Sequence, residues 1–500
     1  MPPHLGIAAG SPPAADAAAD VSSAGGNAVD ACLAAAVMAW VSEPFFASMG
    51  GTGFIAVHTP TGDTEIIDGN AAMPLDPPRE RGQGIRRIYV PDYADGIHMG
   101  VGAGSVGVPG VLAAVHEAWT RHGRIEWAAL FERAIDAARS GLPFPKTSAY
   151  YLSVTWSRIW SLHPGARRLF GPATAAGGEF RPLREGEPFV QAELAEALEQ
   201  VAKEGPDVFY RDGLGREIEA AVGAGGGFLG AADLAEYQAE VRAPITAGAW
   251  GWRVATNPPP AVGGVVLAHM LGLMSGAPPG DAVERLRSLV SSERTALDYR
   301  SERYRDPADV ANAWAEAAGG MGSPSTTHMS AADSDGYVCS ISESIGYGSG
   351  LVVHGIPLNN SLGEEELHPL GVHRSPPGAR IHSNMTPTIA SGPDRTVGLG
   401  SPGASRIVGA ITQTLMRLAI DDEPLADAVA GPRAHFDPTR PEGPTLSYEP
   451  GLPGDALDYL LRPYDDRHMY FGAVQAASVA EDGTVDAAHD PRRSGASALI

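Results

Sequence analysis

Between Ser23 and Val41 the chain reads "SAGGNAVDACLAAAVMAWV", with apolar residues on more than one side of any helix it could form. Such a segment predicts a helix enclosed by the fold rather than one lying on its surface. Gly25 and Gly26 introduce it and Pro44 stops it. The next apolar residues follow a different rhythm. Phe54 to His58 and Thr64 to Asp68 are β-like runs joined by "TPTGD", a turn composition, and they predict a hairpin beside the buried helix.

Helical spacing returns in "VPGVLAAVHEAWTRHGRIEWAALFERAIDAARSGLPF", which divides into two amphipathic helices, the first broken at Gly123 and the second ending at Gly141. The pattern stays mostly helical from Tyr151 to about Val222 and returns to strands from Ile245 to Ala255. A proline-glycine loop then leads to a buried helix, and "ERLRSLVSSERTALDYRSERY" predicts another. From Thr326 the character is β: "TTHMSAA", the turn "DSDG", "YVCSISESI", "GLVVHGIPLNN", "TPTIA" and "TVGLG", with a helix at "SRIVGAITQTLMRLAI". Strands on both sides of a helical middle predict one layered α+β unit, not a string of independent domains.

Composition narrows the function. Hydrophobic residues at 44% and charged residues at 19% describe a globular chain of 500 residues, and 62 Gly with 42 Pro imply many turns. A formal charge of -23 excludes nucleic-acid binding, which needs clustered positive charge. Cys32 and Cys339 build neither a disulfide framework nor a metal site and read as core residues. No metal or organic cofactor is expected. No stretch is apolar for the roughly 20 residues that span a bilayer, and the first residues lack the basic and apolar regions of a signal peptide. The expectation is a cytoplasmic protein without membrane contact.

Two stretches carry candidate chemistry. In "SPSTTHMSAADSDG" two hydroxyls, Thr326 and Thr327, open a strand. A threonine hydroxyl becomes a nucleophile when a base takes its proton, and a free α-amino group, with pKa of about 7.7 to 8.0, serves if the chain is cut just before it. A two-residue turn at Ser334 and Asp335 would set Thr326 opposite Glu343, with Ser342 and Ser344 flanking, unless a bulge slips the register. The alternative is a strand opening chosen for β propensity. In "GLGSPGASRI", Gly398 to Ile407, small residues entering a helix present backbone N–H groups suited to an oxyanion; the alternative is a plain strand-to-helix turn capped by Ser401.

Taken in order, "GGNAVDACLAAAV", "MGGTGF", "VGVPGVLAAVHEAWTRHGR", "DLAEYQAEVRAPI", "NPPPAVGG", "TTHMSAADSDG", "GSG", "LNN", "MTPTI", "GSPGASRI", "PRAHFD" and "DPRRSGAS" resemble the γ-glutamyltranspeptidases, members of the N-terminal-nucleophile hydrolases, over nearly the whole chain. The resemblance implies a four-layer αββα sandwich made as a precursor. It implies a cut between Ser325 and Thr326 into a large chain, 1–325, and a small chain, 326–500, intertwined and open to further oligomerisation. Thr326 is then the nucleophile and Ser344 the hydroxyl that supports it. The Gly403 and Ala404 N–H groups form the oxyanion hole, Thr327 helps hold the new terminus, and His328 is structural.

Departures from the family pattern fall on the acyl-binding side. Asn70 stands where relatives carry an arginine for the α-carboxylate, and an amide lacks that charged fork. Gly346 replaces an asparagine. After Asn360, "SLGEEE" offers Glu364 where an Asp-Asp pair is usual, and Ser383 with Asn384 replace a serine pair. Together with Thr327 and Glu343 these are the candidate substrate contacts. The expected partner is a small acyl amide, γ-glutamyl-like, with water or an amine as acceptor. The alternatives are a diverged acylase, an oxamate-type amidohydrolase or a carbon-carbon hydrolase of an alkylproline antibiotic pathway, and, from another class, a non-catalytic homologue.

Overall fold

The computed structural model describes residues 2–500 apart from 77, 79, 92, 94, 95, 173–179, 277–279, 304–325, 439 and 441. Two antiparallel sheets face each other between two helical layers. In chain order the elements that build them are β1 (Leu5–Ala9), α1 (Pro12–Ser23), α2 (Ala28–Ser42), β2 (Thr52–His58), β3 (Thr64–Gly69), α3 (Val111–His122), β4 (Glu240–Arg242), β5 (Ile245–Ala249), β6 (Trp252–Thr256), α4 (Val262–Met274) and α5 (Ala282–Arg303). They continue with β7 (Thr326–Asp333), β8 (Val338–Ser344), β9 (Thr388–Ser391), β10 (Arg395–Gly400), α6 (Arg406–Ala419), α7 (Leu425–Ala430), β11 (Gln475–Ala480), β12 (Val485–His489) and β13 (Ala496–Leu499).

The first sheet runs β13-β1-β7-β8-β2-β3-β4 and the second β12-β11-β10-β9-β6-β5. Each sheet contains strands from before and from after residue 326, so neither segment has a sheet of its own. The architecture is the αββα sandwich.

Strand alternation explains the layers. In β2, Ile55 and Val57 join a core that includes α2 and α3, whereas Phe54 and Ala56 pack with Ile389, Ala477 and Val479 of the second sheet. The far side of that sheet, through Val254, Val397 and Leu399, carries α4, α5, α6 and α7. Every residue of α2 is buried, as its all-round apolarity predicts. Asn27 and Asp30 cap it reciprocally, each side chain accepting from the other's backbone N–H.

The run from Ile245 to Ala255 is a hairpin, turned at Trp250 and Gly251, both with positive φ (53° and 82°). Glycine explains the second of these; at the first, the tight turn imposes a left-handed conformation on tryptophan. The predicted β stretch "GLVVHGIPLNN" forms only a two-residue pair, Val352–Val353 with Ile356–Pro357. Cys32 and Cys339 are buried and unbridged. Among the described residues no helix is long and apolar enough to cross a membrane.

Candidate active site

The site is organised by the β7–β8 hairpin. The connecting loop has three residues: Asp333 N–H donates to Tyr337 O at 3.0 Å, Gly336 N–H donates to Asp333 O at 3.0 Å, and Gly336 has φ +98°. The Asp333 carboxylate imposes this. Its Oδ1 accepts from Asp335 and Tyr337 N–H, and its Oδ2 from Ala28 N–H at the start of α2. The two-residue turn expected from the sequence is therefore wrong by one residue, and Thr326 pairs with Ser344, Thr327 with Glu343 and His328 with Ser342.

Directly paired residues share a face, so this register sorts the side chains. Thr326, Ser344, His328 and Ser342 face the second sheet, while Thr327 and Glu343 face the α2 layer. The Thr327 hydroxyl donates to Glu43 Oε2 at 2.7 Å, and Trp40 Nε1 donates to Glu343 Oε2 at 2.7 Å. Burial pushes the Glu343 carboxyl well above its ordinary range, reinforced by the nearby Glu43. Neither Thr327 nor Glu343 lines the cleft beside Thr326. As substrate contacts both are corrected.

His328 lies between Ser342 Oγ at 2.8 Å and Ser330 Oγ at 2.9 Å. Complete burial lowers its pKa to about 3, so it is neutral. Gly400, the last residue of β10, packs against this imidazole; a Cβ there would overlap it. That contact brings the following loop to the Thr326 end of β7. In the loop Gly403 has φ +131° and Ala404 φ +61°. Their carbonyls accept from Arg406 and Ile407 N–H at 3.1 Å, closing the turn into α6, and neither of their own N–H groups donates to another described residue. Ser401 does not cap α6: its hydroxyl donates to Pro402 O and accepts from Ala473 N–H.

A narrow cleft of about 30 Å³ joins Thr326 and Ser344 to Asn70, Glu364, Ser383 and Asn384, with Ile407 from the start of α6 on its wall. Ser344 Oγ accepts from Gly346 N–H at 2.9 Å. Asn70 is spent on the protein: its Oδ1 accepts from Thr52 Oγ1 and its Nδ2 donates to Ile381 O, both at 2.5 Å. Gly346, with φ +64°, leaves no room for a side chain, since a Cβ would strike Asn360 Oδ1 and Glu364 Oε1. Asn360 lies outside the cleft and braces this turn, accepting from Tyr347 N–H and donating to Gly100 O. It too is corrected as a substrate contact. Ser325 lies outside the described residues.

Sequence reasoning missed several residues. Thr52, Ser361 and His382 line the cleft. Arg493 donates from Nη1 to Thr326 O at 3.1 Å, and its signal was present in "DPRRSGAS", which lies far from Thr326 along the chain. Glu364 and His382 are the only ionisable side chains on the cleft wall among the described residues, and no Lys or Arg stands there. No group of side chains among the described residues could hold a metal ion.

Comparison with known proteins agrees with this architecture. The family described as gamma-glutamyltranspeptidase matches residues 14–318 and 313–500. The glutathione hydrolase proenzyme of Escherichia coli (strain K12) is 28% identical, covering 95% of this chain and 88% of its own. The acylase ACY 1 proenzyme of Pseudomonas sp. (strain SE83) is 28% identical over 90% of this chain and 85% of its own. The crystal structure of cephalosporin acylase from Bacillus halodurans superposes with a TM-score of 0.80 at 23% identity, covering 99% of this chain and 96% of that one, a likeness of fold. The sandwich and the family match over nearly all of the sequence make the chain a hydrolase or transferase that belongs to the γ-glutamyltranspeptidase family.

Proposed function

We propose that the chain cleaves itself before Thr326 and then hydrolyses a small acyl amide through an ester on the Thr326 hydroxyl. In maturation the hydroxyl attacks the Ser325 carbonyl, the peptide nitrogen leaves as the Thr326 amine, and water cleaves the resulting ester. In turnover that amine takes the Thr326 hydroxyl proton as Oγ attacks the substrate carbonyl. The oxyanion rests on the Gly403 and Ala404 N–H groups, the proton passes to the departing amine, and water or an acceptor amine releases the acyl group. Ser344 positions the nucleophile. The observation that carries this reading is the meeting of Thr326 and Ser344 on one strand-pair face, in one cleft.

A second observation bears on the acyl group. With Glu364 and His382 as its ionisable side chains, no Lys or Arg on the wall, and Asn70 bonded at both ends of its amide, the cleft lacks the guanidinium fork suited to an α-carboxylate. The preferred acyl group therefore lacks one, which favours the acylase-like alternative over a γ-glutamyl donor.

Intact-mass analysis tests the first statement: two chains are expected, the smaller beginning at Thr326, and Thr326→Ala should remain a single chain. A single wild-type chain would overturn it. For the second, 4-nitroanilides of γ-glutamate and of acyl groups without an α-carboxylate are compared. Faster turnover of the γ-glutamyl compound would remove the assignment.

A further inference from the structure

The start of β7 lies beyond the reach of β1. The β1–β7 register ends at the pair Ala9 and Met329, while the β7–β8 ladder continues to Thr326 and Ser344. Thr326 is therefore a strand end held by a neighbouring strand on one side alone. Cleavage before it also makes it a chain terminus, and termini fray unless something ties them down.

The tie is Arg493, whose Nη1 donates to Thr326 O at 3.1 Å. Arg493 belongs to the loop 490–495, which carries the chain from β12 in the second sheet to β13, the neighbour of β1 in the first. This loop is anchored by buried ion pairs. Asp490 Oδ2 meets Arg433 Nη2 at 2.7 Å, Asp490 Oδ1 meets Arg492 Nη1 at 3.1 Å, and Arg492 Nε donates to Glu449 Oε1 at 2.8 Å. The Arg493 guanidinium itself lies 5.4 Å from the centre of the Phe46 ring. A fixed backbone and an aromatic face together aim it at Thr326.

We propose that Arg493 is the positioning residue of the Thr326 terminus: it supplies the tie that β1 is too short to give, and its charge favours the freed amine in its neutral, proton-accepting form. The assignment rests on Thr326 being the nucleophile released by cleavage. An ordinary α-amino group, with pKa of about 7.7 to 8.0, is mostly protonated at neutral pH, and a cation one residue's backbone away disfavours that charged form. Glu364 and His382 face the terminus from the cleft wall, Glu43 from just after α2, and His328 and Glu343 from the hairpin. Burial holds Glu43, Glu343 and His328 toward their neutral forms. Tyr93, Asp490 and Arg406 act by charge on Arg493 itself. Among the described residues only Arg493 brings a permanent positive charge into contact with Thr326.

Cyanate, which carbamylates neutral amines, reads the Thr326 amine without any substrate: its rate of reaction is followed against pH by mass spectrometry of the first peptide of the small chain. Wild type is compared with Arg493→Gln, which removes the charge, and Arg493→Lys, which keeps the charge and a donor. Arg493→Gln should raise the amine pKa by roughly half a unit or more. It should also lower kcat on the fastest acyl 4-nitroanilide by about tenfold, with KM within about twofold of wild type. Arg493→Lys should return both most of the way. Circular dichroism checks that each variant folds. A folded Arg493→Gln chain that stays uncut while Arg493→Lys is cut would support the proposal too, because Thr326 must be held for its hydroxyl to reach the Ser325 carbonyl. An unchanged amine pKa in Arg493→Gln, or a lysine variant no better than the glutamine one, would overturn it. A wild type that fails to cleave would instead remove the nucleophile reading, and this assignment with it.

Discussion

The Gly400 backbone packs directly against the His328 imidazole, where the end of the second sheet closes on the first. No side chain fits between them. Gly400→Ala should therefore force His328 or β10 to shift, at a cost of about 1–3 kcal/mol, the range for overpacking a tight core. Urea unfolding would show a lower midpoint. Because Gly403 and Ala404 follow only three and four residues after the strained contact, turnover should fall as well.

Ser344 accepts from Gly346 N–H and shares the face of Thr326. Ser344→Ala removes a hydroxyl beside the nucleophile and leaves a buried N–H unmatched. Turnover should drop roughly 100-fold, comparable with loss of a transition-state donor. Ser344→Thr, which keeps the hydroxyl, should retain most of it. Separate measurement of kcat and KM decides the role: a positioning defect appears in kcat, whereas a collapsed cleft raises KM.

His328 makes stability depend on acid. Its folded pKa of about 3 lies below the ordinary 6.5, because burial disfavours the charged ring. The unfolded chain takes up a proton that the folded chain refuses, so this contribution is present above pH 6.5 and is lost as pH falls toward 3. The slope is up to about 1.4 kcal/mol per pH unit. Urea titrations of wild type and His328→Gln across that window should show the wild type losing stability faster on acidification.

Glu343 has the opposite sign. Its folded pKa is raised above 4.5, chiefly by burial, so the folded chain keeps a proton that the unfolded chain releases. That stability is full below pH 4.5 and is lost as pH rises through the raised value. Glu343→Gln has no proton to lose. Its melting temperature relative to wild type should climb as pH rises above 4.5, through the raised value. A constant difference would mean that Glu343 is ionised in the fold.

Much of this was legible from the chain. The all-apolar α2, the hairpin of β2 and β3 and the glycine-rich entry to α6 follow from periodicity and turn composition, which are local. The pairing of Thr326 with Ser344 was not, because it depends on Asp333 gathering three N–H groups, one of them from Ala28. The roles of Thr327, Glu343 and Asn360 were misread for related reasons: strand face and bracing contacts are tertiary facts. Arg493 escaped because its partner, the Thr326 carbonyl, is far away in sequence and has no side-chain signature.

The loop at Ser334, Asp335 and Gly336 has a consequence at the other end of the hairpin. Since faces alternate residue by residue, the parity of the loop length decides which partners each β7 side chain meets. If the same residues closed a two-residue turn, with Asp333 opposite Gly336 and β8 held in place, Thr326 would pair with Glu343 and leave the cleft without its hydroxyl. A turn with no chemistry of its own thus acts as an address, and its even or odd count determines whether the threonine and the cleft coincide.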